Sequence, residues 1–331
     1  MKYSLKALLA GSAVALSAQS AAAMDELNVA YFLEWPMPFQ YAKAKGIYEE
    51  ELGIPINWVS FDAGTAMSAA MASGDIQISV SQGVPPFVVA TSAGQDLVLV
   101  DVAVSYSEND NCVVAEVLEI DKETAGDLEG KKVGVPIGTA AHYGFLNQMN
   151  HFGVDVVTME IVDMAPADGA AAFAQGNLDM VCGWGGALRR MMDHGNILLT
   201  GAEKEELGIL VFDGTTVPAD FAAEESELLA KFLKVTADMN AMWNSGENRD
   251  EMIEVIAQDA GMDVDAASAT ISTFVFPSVE EQLSEKWLGG GAGAFMDGVA
   301  VVFQEAGSVP NTLSSYSDRV DPVPLQTASE M

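Results

Sequence analysis

Short apolar runs alternate with longer stretches of helical periodicity through the first two thirds of the chain, and the two patterns predict strands and helices in alternation. Residues 27–31, 56–61, 76–80 and 97–104 predict four strands. Between them, residues 39–51, an Ala- and Met-rich stretch ending near Gly74 and another ending near Ala93 predict helices. Strand, loop and helix repeated in this way build an open α/β sheet. After the polar run 106–111 the pattern begins again, with strands at Cys112, 131–135, 159–162 and 180–182 and an Ala-rich helix over 167–175; this series closes near 210–212. From Phe221 onward only helical spacing is left, over 224–244, 250–260, 264–274, 279–287 and 294–305. Two α/β units followed by a helical tail are therefore expected, and 331 residues exceed what one core of ordinary size contains.

The chain opens differently. Lys2 and Lys6, an apolar run over 5–16 and Ala21-Ala22-Ala23 have the layout of a secretory signal over residues 1–23, cleaved before Met24. The run is too short and too rich in Ala and Ser to span a bilayer stably, and no later segment has about 18 consecutive apolar residues. With no Cys near the cleavage point, a free periplasmic protein is expected rather than a lipid-anchored one. The composition holds 15 basic and 48 acidic residues, a net charge of −33. Such a field repels nucleic acid and anionic membrane surfaces. Export places Cys112 and Cys182 in an oxidising compartment, where they either pair as a disulfide or stand as two buried thiols. Neither has a His or second Cys at metal-ligand spacing, so no metal is expected, and no motif calls for a cofactor.

Candidate chemistry concentrates where predicted strands end, the place at which open α/β sheets hold ligands. Lys131 to Gln148 reads as a strand, a turn through Pro136, Ile137 and Gly138, and a helix capped by Thr139. The free N–H groups from Ala140 onward and the positive end of the helix dipole form an anion site, to which His142 adds a donor one turn in; an ordinary capped connection has the same pattern. Glu34 and Trp35 follow the first strand between residues that cannot continue a helix, so both side chains are expected at the mouth of a cleft, Glu34 accepting from an ammonium and Trp35 forming a wall. Gln82 and Gly83 offer an amide and a bare N–H after the third strand. Trp184 stands among Gly183, Gly185 and Gly186 with little local packing, which favours a ligand wall over a core plug, while Arg189 and Arg190 are expected in solvent. Asp213 lies between Phe212 and Gly214 at a return crossing with no Lys or Arg near it in sequence, and suits a counter-ion or a turn former.

These loops contain no Arg or Lys, the residues that strong phosphate or dicarboxylate binding recruits. A zwitterion fits better, its anionic end at Thr139 and its cationic end on Glu34, Asp213 or both. The three His residues form no visible acid-base pair with a nucleophile, so no catalytic residues and no enzyme activity are expected.

The Val29-Ala30-Tyr31 strand, Asp62-x-Gly64, Ala72-Ser73-Gly74-Asp75-Ile76-Gln77-Ile78, Pro136-x-x-Thr139-x-x-His142-Tyr143, Trp184 and Asp213, behind a signal peptide, resemble the taurine-binding proteins of the nitrate, sulfonate and taurine group of periplasmic substrate-binding proteins. The resemblance is strongest from Ala30 to Asp213. It implies a type II clamshell of two α/β lobes with two hinge crossings and a helical C-terminal tail, lobe 1 being 24–107 with 214–331 and lobe 2 being 108–213. It implies a monomer that delivers taurine or a related sulfonate to the membrane permease and ATPase of an ABC importer, sulfonate held by His142 and the Thr139 turn, the amine by Asp213, with Trp184 as a wall. The first loop, Glu34-Trp35-Pro36-Met37-Pro38, is bulkier and more apolar than that pattern, which also admits a methylated ammonium compound or a pyrimidine precursor of thiamine.

Overall fold

The computed structural model describes residues 24–331; the signal reading of residues 1–23 lies outside the described residues. The apolar runs of the first series become parallel strands. β1 (Leu27–Phe32) pairs with β2 (Ile56–Phe61) on one side and β3 (Ile78–Gly83) on the other. β3 is buried along its whole length, so Ser79, Ser81 and Gln82 stand in it beside Ile78 and Val80 without the alternation of a half-exposed strand. The fourth run is not one strand but two, β4 (Leu97–Leu99) and β5 (Val104–Ser105). The predicted helix over 39–51 is likewise two, Phe39–Lys45 and Ile47–Leu52, because Gly46 adopts a left-handed conformation (φ 71°) that ends the first.

The second series forms β6 (Asp110–Ala115), β7 (Lys132–Val135), β8 (Glu160–Asp163), β9 (Met180–Trp184) and β10 (Gly195–Ile197), in the spatial order β10-β6-β9-β7-β8. β10 has a single apolar residue and carries no periodic signal in the sequence. Cys112 and Cys182 face each other in the β6–β9 register and form a disulfide, which settles the alternative the sequence left open. β11 (Phe212–Pro218) departs most from expectation. Rather than closing the second sheet it returns to the first, antiparallel between β3 and β4. Its Asp-Gly-Thr-Thr segment lacks apolar alternation, yet Thr216 is wholly buried because its hydroxyl donates to Gln82 Oε1 at 2.6 Å.

The chain thus crosses between the sheets twice, from Ser105 to Asp110 and from Ile197 to Phe212, giving two α/β lobes with a helical tail on the first. The tail is not confined to one lobe. Its Gly291–Glu305 helix packs on the Val84–Ser92 helix of the first sheet and on the Ala140–Phe152 helix of the second. There the wholly buried Phe303 stacks on His142 (ring centroids 5.3 Å apart) and Phe295 meets Tyr143 edge to face at 5.7 Å. Residues 279–287 form only the short Val279–Gln282 helix.

Candidate functional site

Between the sheets lies a narrow cavity of about 20 Å³, room for about one water molecule. One wall is an unusual meeting of helix starts. Thr139 caps the Ala140–Phe152 helix, accepting from the His142 N–H at 3.5 Å and donating to the Pro136 carbonyl at 2.6 Å. The next two N–H groups, of Ala140 and Ala141, have no acceptor among the described residues, and Thr139 and Ala140 line the cavity. From the other lobe the Gly64–Ser73 helix brings Gly64 to the same cavity, with no side-chain cap of its own. Gly138 (φ 78°) lets these two starts approach: a Cβ there would stand 3.3 Å from Thr65 Cγ2 of the opposite lobe. Two sets of unpaired N–H groups therefore face one volume, an arrangement that attracts negative charge.

The opposite wall carries Asp213, 2% exposed. Its Oδ2 accepts from Ser81 Oγ at 2.8 Å and its Oδ1 from the Tyr106 hydroxyl, and among the described residues no ammonium or guanidinium pairs with it. Burial pushes this carboxyl up to about 8; the two hydroxyls pull the other way and the charge of Asp110 adds to the rise. Ser81 is itself held by the indole of Trp35, whose Nε1–H donates to its Oγ at 2.9 Å, and its backbone is left-handed (φ 61°). Trp35 in turn packs edge-on to Tyr106 at 4.7 Å and against Phe274 at 4.4 Å. With Phe32 and Trp184, whose rings lie 6.1 Å apart, these aromatics enclose the carboxylate.

Of the residues singled out in the sequence, Trp35, Gly83, Thr139, Ala140, Trp184 and Asp213 share this cavity. Glu34, Gln82 and His142 do not. Glu34 turns outward and both its carboxylate oxygens accept from Arg190 Nη1 of the second lobe at 2.9 Å, so Arg190 is paired rather than simply solvated. The Glu34 carbonyl also accepts from the Gly186 N–H at 3.3 Å, across the mouth of the cleft. Gln82 spends its amide within its own lobe: Nε2 donates to the Gly64 carbonyl and Ser68 Oγ, each at 2.7 Å, and Oε1 accepts from Thr216. His142 is a brace, Nδ1 accepting from the Gly138 N–H at 3.2 Å and its ring covered by Phe303. Burial pulls it down to about 4, with Asp163 opposing, so it is neutral near pH 7. Sequence reasoning missed Ser81, Tyr106 and Phe32. Ser81 and Tyr106 act by holding Asp213 from β3 and from the end of β5, a relation between strands distant in the sequence.

Two α/β lobes joined by two crossings around a cleft, with a helical tail, are the fold of the periplasmic binding proteins. The chain belongs to the NMT1/THI5-like family, whose sequence profile matches residues 36–241. It is 26% identical over 287 residues to the taurine-binding periplasmic protein of Escherichia coli (strain K12), covering 86% of this chain and 88% of the relative. Its fold matches that of the alkanesulfonate-binding protein SsuA from Xanthomonas axonopodis pv. citri bound to MOPS, with a TM-score of 0.73 at 21% identity over 91% of this chain and 99% of that one. The desulfurization enzyme DSZB also shares the fold, with a TM-score of 0.61 at 13% identity over 93% of this chain and 99% of the enzyme. Binding proteins and an enzyme are thus built on one scaffold.

Proposed function

We propose that this protein is the extracytoplasmic solute-binding component of an ABC importer and holds taurine or a closely related zwitterionic sulfonate between its lobes, 24–107 with 214–331 and 108–213. The observation that carries this reading is the pairing of opposite demands across one cavity: unpaired helix N–H groups at Ala140, Ala141 and Gly64, and a buried carboxylate at Asp213 that lacks a cation among the described residues. A ligand with an anion at one end and an ammonium at the other satisfies both, and the lining contains no Arg or Lys to favour a doubly anionic guest. The names of the relatives agree with a sulfonate as the anion. Residues 1–23 act as the secretory signal, the mature protein works as a periplasmic monomer, and the membrane permease with its ATPase is the partner. No turnover is expected, in keeping with relatives that are named as binding proteins.

The test is isothermal titration with taurine, β-alanine, simple alkanesulfonates, betaines and the thiamine pyrimidine, followed by analysis for product. Tight one-to-one binding of taurine without product supports the reading, and a ligand at 100 times its dissociation constant stabilises the fold by about 2.7 kcal/mol. The aromatic walls around Asp213 favour a second outcome, in which methylated ammonium compounds bind more tightly than taurine. Binding of an alkanesulfonate in preference to both would overturn the zwitterion requirement.

Closure places one further expectation on Arg190. The Glu34–Arg190 pair joins the lobes outside the cavity with both side chains partly in solvent, so it holds the closed form without touching the ligand. Arg190→Ala is expected to accelerate ligand release by about two- to fivefold, the worth of an exposed ion pair, with little change in association rate. Stopped-flow fluorescence measures both, and equal release from variant and wild type contradicts a clasp.

A further inference from the structure

We propose that Asp110 supplies a second negative charge to the cationic end of this cavity, so that the site requires a ligand bearing one positive centre and rejects sulfonates that lack it. The inference rests on the taurine-type reading and names the residue that enforces it.

Asp110 opens β6 just after the first crossing and is 1% exposed. Its register partner on β9 is Trp184, a wall of the cavity, and Tyr106, which holds Asp213, lies four residues before it. Its Oδ2 has no hydrogen-bond partner. On the other side stands the Ala140–Phe152 helix, where Gly144 lies one turn beyond the cavity residue Ala140 and on the same face. A Cβ at Gly144 would come to 3.6 Å from Asp110 Oδ1, so the helix presents bare backbone to the carboxylate.

A buried, unpartnered carboxylate costs stability, and a count of buried charge shows what is missing. Asp110 and Asp213 are both buried; among the described residues one cation is buried beside them, Lys204, 0% exposed. Lys204 Nζ donates to the carbonyl oxygen of Asp110, not to its carboxylate, and also feels Glu108 and Glu205. The remaining buried carboxylate, Asp101, is held separately by the Thr215 N–H at 2.6 Å. Two buried acids thus have one buried cation near them, and it is bonded to a carbonyl; a ligand ammonium supplies the missing positive charge and draws both acids into their ionised form. The charge of Asp110 reaches both Asp213 and Tyr106, and burial raises Asp110 itself to about 7 against the pull of Lys204.

The test compares Asp110→Asn with the wild-type protein by calorimetry, using taurine and 2-hydroxyethanesulfonate, which keeps the sulfonate but replaces the ammonium by a hydroxyl. Loss of one nearby charge is expected to weaken taurine about tenfold and to leave the hydroxyl analogue unchanged or tighter, so that selectivity collapses. Equal weakening of both ligands, or unchanged taurine affinity, overturns the proposal. Melting curves establish that the variant folds. A wild-type protein that binds no taurine fails at an earlier point, because it overturns the function reading and this proposal with it, whereas intact taurine selectivity in Asp110→Asn overturns this proposal alone.

Discussion

Asp213→Asn is expected to abolish taurine binding, by more than about 100-fold in affinity, while raising the melting temperature of the ligand-free protein by several degrees. The two effects have one cause. The carboxylate is enclosed by Trp35, Tyr106, Phe32 and Trp184 and is held by two hydroxyls, with no cation among the described residues paired to it. An ammonium entering the cavity regains in Coulomb energy what both charges lose in solvation, and that gain is large because closure removes water. An amide keeps the shape and the bond from Ser81 but offers no charge, so the ammonium is left unpaired. The empty protein, relieved of a buried acid, becomes more stable. Titration calorimetry and melting curves on the same preparation check both halves. Retained affinity contradicts Asp213 as the counter-ion, and a fall in melting temperature contradicts the idea that its charge is held at a cost.

The second large effect is in pH. With Asp213 raised from 3.8 to about 8, the empty cavity holds a neutral acid near pH 7, and the ammonium binds the ionised form. Binding therefore releases a proton. Affinity should rise about tenfold per pH unit from about pH 6 up to about 8, then level off until the ammonium itself titrates. Binding enthalpies measured in buffers of different ionisation enthalpy should report close to one proton released per ligand at pH 7. A flat profile with no buffer dependence sinks this coupling, and Asp213→Asn should abolish the slope. Stability of the empty protein follows with the opposite sign. Asp101, Asp110 and Asp213 have folded values raised by burial to about 6, 7 and 8, so the native state keeps protons that the unfolded chain has lost. Their contribution is full below about pH 4 and is lost as pH rises toward 8. His142, lowered from 6.5 to about 4, acts the other way, adding stability as pH rises from about 4 to 6.5. Above that range only the decline is left, and bound ligand should offset it.

Several parts of this organisation could be read from the chain alone. The parallel strands β1 and β7 stand close to where the apolar runs put them, because a strand covered on both faces needs a continuous apolar segment and its ends need turn residues. Thr139 was legible for a local reason: an N-cap, a left-handed Gly before it and a helix after it are satisfied within a few residues of one another. Asp213 was legible as an acid without a local cation. Glu34, Gln82 and His142 misled for a shared reason. Each is a polar side chain at a strand or helix end that makes its deciding contact far away in sequence: Glu34 with Arg190, Gln82 with Thr216, and the His142 ring, bonded locally to Gly138, under Phe303.

The amino-acid order by itself determined the two α/β series, the helical tail and the Thr139 helix cap, since all of these follow from periodicity and from bonds made within a turn or two. The tertiary structure alone decided that β11 rejoins the first sheet, that Cys112 meets Cys182, that Ser81 and Tyr106 grip Asp213, and that Asp110 is buried beside the cavity without a partner. These depend on which strands become neighbours and on how much water the closed lobes exclude. Charge pairing and burial are properties of the assembled volume, and no window of sequence contains both sides of it.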